Sequence, residues 1–258
     1  MKHLILFALL ASFVLNLSAC SIPEYEEKEL SLTIEMSDST VEPTTPETEM
    51  ETEATQPATA PTELLEETYP PREPDDEDFV RIIDYIPTAR VELAYATVNN
   101  FTGCQIYDFT DAYLRYGTVR KLMKVSEALA DQGIGLIIWD GFRPVAAQAK
   151  LWEIFPDPSF VSHPVTGKRT HSRGNTVDIS IYDLETGEDL LVPTGYDNFT
   201  AYADRDYSDC SDDAAANARL LEQTMEKHGF TPYFAEWWHF TDTVDYPVDE
   251  FFNTEINQ

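Results

Sequence analysis

The chain has 258 residues and a formal net charge of −30, with 47 Asp and Glu against 17 Lys and Arg. That balance excludes nucleic acid as a partner, because binding phosphate needs clustered Lys and Arg. Three cysteines exclude a small disulfide-stapled scaffold.

Residues 1–20 read as an export signal. Lys2 and His3 precede an apolar run from Leu4 to Leu15 that is too short to span a bilayer. Leu17-Ser18-Ala19-Cys20 has the form of a bacterial lipoprotein cleavage box, which implies a mature chain beginning at Cys20 with lipid on its sulfur. The alternative is an ordinary signal peptide with an incidental cysteine. No other segment is apolar enough to span, so attachment to the outer face of the cytoplasmic membrane rests on that lipid. Residues 21–78 are rich in Thr, Pro and Glu, and only Lys28 and Arg72 oppose the many acids. Such a composition cannot bury enough apolar surface to offset chain entropy. It predicts a disordered tether of about 40 Å mean span, longer if its charges extend it.

A single folded domain is expected over 79–258. The spacing of Val119, Leu122, Met123, Ser126, Leu129 and Ala130 predicts a helix from Thr118 to Gln132, stopped by Gly133. The β-branched run Ile134 to Trp139 predicts a buried strand. Pro144 then suits the first turn of a helix reaching about Phe155. Val177, Ile179 and Ile181 alternate with Asp178, Ser180 and Tyr182, the pattern of a strand with one polar face. Asp212 to His228 reads as a helix with Leu220, Leu221, Met225 and His228 inward and Gly229 as its stop. Trp237 to Val244 reads as a strand. Helices and strands mix without a βαβ repeat, so the fold class is α+β.

Two segments carry chemistry. Thr170-His171-Ser172-Arg173-Gly174-Asn175-Thr176-Val177-Asp178 offers two metal-ligating side chains, and Glu236-Trp237-Trp238-His239 offers a third with a glutamate beside it. Three protein ligands, an open position and a carboxylate to take a proton from water are what a hydrolytic zinc site needs. Gly174 and Asn175 favour a loop carrying His171 into a strand carrying Asp178. Glu236 and His239 are three apart and would face opposite sides of a flat strand. Both can reach one metal only if Glu236 lies in the preceding turn or the strand is irregular there. His163 has no such context, and His228 sits at a helix end. Cys104 and Cys210 either form a disulfide or stand as two buried thiols.

Asp140-Gly141-Phe142-Arg143-Pro144, the His171 to Asp178 segment and Glu236-Trp237-Trp238-His239 resemble the VanX-type D-alanyl-D-alanine dipeptidases of the zinc DD-peptidase group, peptidase family M15. Tyr95-Ala96-Thr97 and Asn100-Phe101-Thr102-Gly103 add to the match, which covers roughly 79–254. The resemblance implies a Hedgehog/DD-peptidase-like domain with a mainly antiparallel central sheet flanked by helices. It implies one zinc ion on His171, Asp178 and His239, with Glu236 as general base and Arg143 at the developing oxyanion. An ion pair with Asp140 is the plain structural alternative for Arg143. Asp197, in Gly195-Tyr196-Asp197, matches the carboxylate that binds the free amine, and Tyr95 matches a pocket tyrosine.

The chain departs from the family pattern at two positions. Arg169 stands where the family has serine, and Thr176 where it has alanine. An arginine there could grip a substrate carboxylate or point to solvent. The implied reaction is hydrolysis of D-Ala-D-Ala or related wall peptides outside the membrane. The alternatives are a DD- or LD-carboxypeptidase trimming stem peptides, and a surface lipoprotein that binds wall peptides without cleaving them.

Overall fold

The structure is a computed structural model, and it describes residues 72–252. The export signal, Cys20 and nearly all of the expected tether lie outside the described residues. Among the described residues, no helix is long and apolar enough to cross a membrane.

The centre of the domain is a five-stranded sheet in the order β2-β4-β5-β7-β6, built from Arg90–Val91, Ile134–Asp140, Thr176–Asp183, Glu236–Asp242 and Phe230–Tyr233. Only the β2–β4 pair is parallel; the other three pairs are antiparallel. A separate antiparallel ribbon pairs β1 (Phe79–Arg81) with β3 (Tyr113–Arg115). Four helices join these strands: α1 (Ile82–Tyr85), α2 (Tyr116–Ala130), α3 (Val145–Ile154) and α4 (Asp212–Lys227). The expected α+β class and mainly antiparallel sheet are what the chain forms.

Helix α2 buries Val119, Leu122, Val125, Ser126 and Leu129, each three or four positions from the next but for one adjacent pair. That spacing lays them on one stripe against the sheet. Met123, expected inward, lies at the edge of the stripe and is half-buried. The helix begins two residues before the expected Thr118 and is followed by Gly133 at φ +76°. In α4, the Ser211 side chain accepts from Ala214 N at 3.2 Å, Asp212 and Asp213 fill the first turn, and Lys227 sits in the last. Cap and charges both suit the helix dipole.

Strand β5 is the sheet's middle. Val177, Ile179 and Ile181 are wholly buried in the main core, as the alternation predicts. The opposite face is buried too: Asp178 and Ser180 are each 2% exposed. The expected polar face is therefore buried rather than solvated, and Asp178 on it lines a cavity. Cys210 is a free thiol, with its Sγ 3.7 Å from the Tyr207 carbonyl and its side chain against the core. The considered Cys104–Cys210 disulfide does not form. Cys210 sits in the loop before α4, while Cys104 belongs to the separate turn organised by Asn100, whose Nδ2 donates to the Cys104 carbonyl.

Candidate active site

Strand register assembles the site. Asp140 on β4, Asp178 on β5 and His239 on β7 are successive cross-strand partners. His171 arrives from the turn His171–Arg173 that precedes β5. That turn closes at Gly174 with φ +72°, where a Cβ would sit 2.3 Å from Phe79 Cε1. Only glycine satisfies both the left-handed backbone and the contact. Gly141 shows the same economy: a Cβ there would lie 2.8 Å from the Tyr113 carbonyl oxygen.

His171 Nδ1 is 2.8 Å from the Gly141 carbonyl. A carbonyl only accepts, so Nδ1 carries the proton and Nε2 presents its lone pair. Nε2 faces Asp178 Oδ2 at 3.3 Å, and His239 Nδ1 lies 3.0 Å from Asp178 Oδ1. Ligand atoms of His171, Asp178 and His239 all lie within 4.8 Å of one another. Asp178 Oδ1 is buried, yet its approach to His239 lacks hydrogen-bond alignment and among the described residues it has no other partner. A buried carboxylate between two imidazoles, with one oxygen lacking a hydrogen bond, fits a cation better than a hydrogen-bond network. Burial alone would raise the Asp178 pKa, but the facing His171 and His239 outweigh it and hold the carboxyl below the usual range.

Glu236 Oε2 is 3.4 Å from His239 Nδ1. Glu236 opens β7 rather than lying outside it, and the β6–β7 register shifts between Pro232 and Tyr233. Trp237 and Trp238 are both buried, which breaks the alternation of a flat strand. The irregularity that the Glu236–His239 spacing demands is therefore present. Burial pushes the Glu236 carboxyl up to about 7, with His239 pulling the other way.

Arg143 forms the ion pair that was its structural alternative, and it also lines the cavity. Its Nε and Nη2 donate to Asp140 Oδ2 at 3.0 and 2.8 Å, and Nη1 donates to Gln148 Oε1 at 3.0 Å. Nη2 is also 4.0 Å from Asp178 Oδ2. The ion pair thus holds the guanidinium at the edge of the cluster. Asp197 accepts from Tyr95 Oη at 2.9 Å, and burial pushes its carboxyl up to about 7. Arg169, at φ +50°, reaches Glu250 Oε1 at 3.3 Å.

All eight expected metal, catalytic and substrate residues line one cavity of about 740 Å³. The segment from Pro158 to Thr170 forms one wall. Sequence reasoning missed Tyr196, whose hydroxyl donates to Asp178 Oδ2 at 3.0 Å, and Gln148, which braces Arg143 and donates to the Ser162 carbonyl at 2.7 Å. Tyr196 adjoins Asp197 in a tripeptide already singled out. Gln148 follows Arg143 by five residues on α3, with no local signal.

The fold and site together define a metallopeptidase. The family model for D-Ala-D-Ala dipeptidases of peptidase family M15 matches residues 75–257. D-Alanyl-D-alanine dipeptidase of Escherichia coli K12 is 32% identical over 176 residues, covering 67% of this chain and 90% of its own. The enzymes of the same name from Enterococcus faecium and Streptomyces coelicolor are 32% and 31% identical, covering 63% and 69% of this chain and 90% and 98% of their own. The chain belongs to the VanX-type M15 family of D-alanyl-D-alanine dipeptidases, and it is a peptidase. One solved structure, described as "Structure of the LdcB LD-carboxypeptidase reveals the molecular basis of peptidoglycan recognition", aligns with 54% of this chain and 60% of its own at 19% identity and a TM-score of 0.32, too low to weigh.

Proposed function

We propose that this enzyme hydrolyses D-Ala-D-Ala with one zinc ion held by His171, Asp178 and His239. The observation that carries the reading is the buried Asp178 carboxylate between two imidazoles, its Oδ1 without a hydrogen bond among the described residues, with Glu236 alongside. Zinc bound there would supply a Lewis acid and would lower the pKa of water towards neutrality.

The chain's own groups do the rest. Glu236 takes the proton of the attacking water at its carboxylate and passes it to the leaving amine. Arg143, locked by Asp140 and Gln148, meets the negative charge developing on the carbonyl oxygen. Asp197, oriented by Tyr95, receives the substrate's free ammonium. Arg169 receives its carboxylate.

The lipoprotein box at Cys20 and the acidic tether support export and anchoring at the outer face of the membrane, with the catalytic domain facing the wall. There the enzyme meets peptides released during wall turnover, not a cytoplasmic pool. A second reading, a carboxypeptidase acting on stem peptides, is favoured by the cavity volume, which exceeds what two alanines fill.

The test offers the zinc-loaded protein D-Ala-D-Ala beside a wall pentapeptide, with Glu236→Ala as control. Cleavage of the dipeptide alone, lost in the control, is expected. Cleavage of the pentapeptide alone would replace the dipeptidase with the carboxypeptidase. Zinc bound with neither cleaved would refute both substrates.

A further inference from the structure

A glutamate and a histidine three apart reach one site because β7 bulges. Pro232 pairs with Phe240, but the next residue of β6, Tyr233, pairs with Glu236. One step along β6 thus answers to four along β7, and Trp237, Trp238 and His239 are extruded from that ladder. On the other side, β5 pairing ends at Asp178 and His239. A bulge of this size leaves carbonyls without ladder donors, and something else must meet them.

Arg205 meets them. Its Nε donates to the Tyr233 carbonyl at 2.8 Å and its Nη2 to the His239 carbonyl at 2.9 Å. Its backbone N–H donates to the Phe234 carbonyl at 3.0 Å. The guanidinium lies 4.4 Å above the Phe240 ring, and its side chain is only 4% exposed. From behind, Nη1 reaches Glu222 Oε2 at 3.1 Å, and Tyr207 donates to the same oxygen at 2.5 Å. A planar fork with fixed donors is suited to bridging two carbonyls at once; an ammonium is not. Arg205 comes from the segment after β5, outside every motif of the site, and does not line the cavity.

We propose that Arg205 is a positioning residue for the reaction: it ties Tyr233, the β6 partner of Glu236, to the His239 end of the β7 bulge and so fixes Glu236 relative to His239. The inference rests on the reading that these two residues act in hydrolysis. It assigns Arg205 an effect on turnover rather than on substrate affinity, because its carbonyl contacts are on the hairpin and none is to Tyr95, Asp197 or Arg169.

The experiment compares full-length Arg205→Ala, Arg205→Lys and Glu222→Gln with the parent. It reads kcat and KM on D-Ala-D-Ala, zinc content and Tm. Arg205→Ala is expected to lose on the order of 10²-fold in kcat, the scale of a misplacement of about 1 Å, with KM little changed. Added methylguanidinium should restore part of that loss, and lysine at 205 should not. A folded Arg205→Ala protein with parental kcat would overturn the proposal. So would a loss of kcat that follows Tm and ignores methylguanidinium. Should Arg205→Ala fail to fold, Glu222→Gln decides: it loosens the fork while keeping it, so a smaller fall in kcat is expected and an unchanged kcat refutes. A fully active Glu236→Gln would instead sink the underlying assignment of the base, leaving Arg205 a structural tie alone.

Discussion

Replacing Asp197 by Asn should change how stability depends on pH. Burial raises the Asp197 carboxyl from its ordinary value to about 7, against the Tyr95 hydrogen bond and the Arg143 charge, which both pull it down. A carboxyl whose folded pKa exceeds its unfolded value binds more protons when folded. Its contribution is therefore fully present below about pH 4 and is lost as pH rises through about 7. At 1.36 kcal/mol per unit, a rise of about three units sets an upper limit of about 4 kcal/mol. Asparagine keeps an oxygen for Tyr95, tolerates the φ of +54° at this position, and does not ionise.

The assay is urea unfolding of parent and Asp197→Asn, both stripped of metal, from pH 4 to pH 8. Stripping matters because a bound cation would add its own linkage to the carboxylates. The variant should gain on the parent as pH rises, by up to about 4 kcal/mol, with most of the change between pH 4 and 7. It should also bind D-Ala-D-Ala poorly, having lost the charge for the amine. A stability difference that stays flat across this range would show that Asp197 is not held protonated by burial, and the reasoning would fail. The expected result is a site that costs stability at neutral pH until an ammonium arrives, the usual trade between stability and function.

Arg143→Lys should keep its zinc and lose on the order of 10²-fold in kcat, since one ammonium cannot hold Asp140, Gln148 and a developing oxyanion together; steady-state kinetics beside metal analysis checks this. Gly174→Ala should destabilise the domain by roughly 2–5 kcal/mol, adding a left-handed alanine to an overpacked contact with Phe79. Because His171 sits in the turn that Gly174 closes, zinc affinity measured by chelator competition should fall as well.

Much of this was legible in the sequence where a signal is local. Helices α2 and α4 follow from apolar spacing and their glycine stops, and β4 and β5 from β-branched runs. His171, Asp178, Glu236, His239 and Arg143 stand in short segments whose residue types declare a chemistry. What stayed hidden depends on distant pairing. Strands β1 and β3 are three residues each and exist only because they meet each other. The spacing of Glu236 and His239 showed that β7 had to be irregular, but not that an arginine some thirty residues earlier would hold it. Whether Cys104 meets Cys210 likewise turned on a separation that no local pattern records.

The site's buried carboxylates show why residue identity alone does not assign roles. Asp140, Asp178 and Asp197 all lie in or beneath one cavity, and their surroundings divide the work. Asp140 takes two hydrogen bonds from Arg143, one from the Gly141 N–H and one from the Tyr107 hydroxyl shared between its two oxygens, so it is saturated and serves as a brace. Asp178 has an imidazole on each oxygen and a lone pair unanswered, which is the condition of a ligand. Asp197 has a phenol and, among the described residues, no ion pair, so it is buried at a cost that a positive partner would remove. Under the proposed function an incoming ammonium is that partner, and the free amine of a dipeptide would supply it where the interior of a longer peptide would not. The electrostatics at Asp197 thus favour a short substrate even though the cavity volume admits a longer one, and the cleavage assay decides between these two properties of the same pocket.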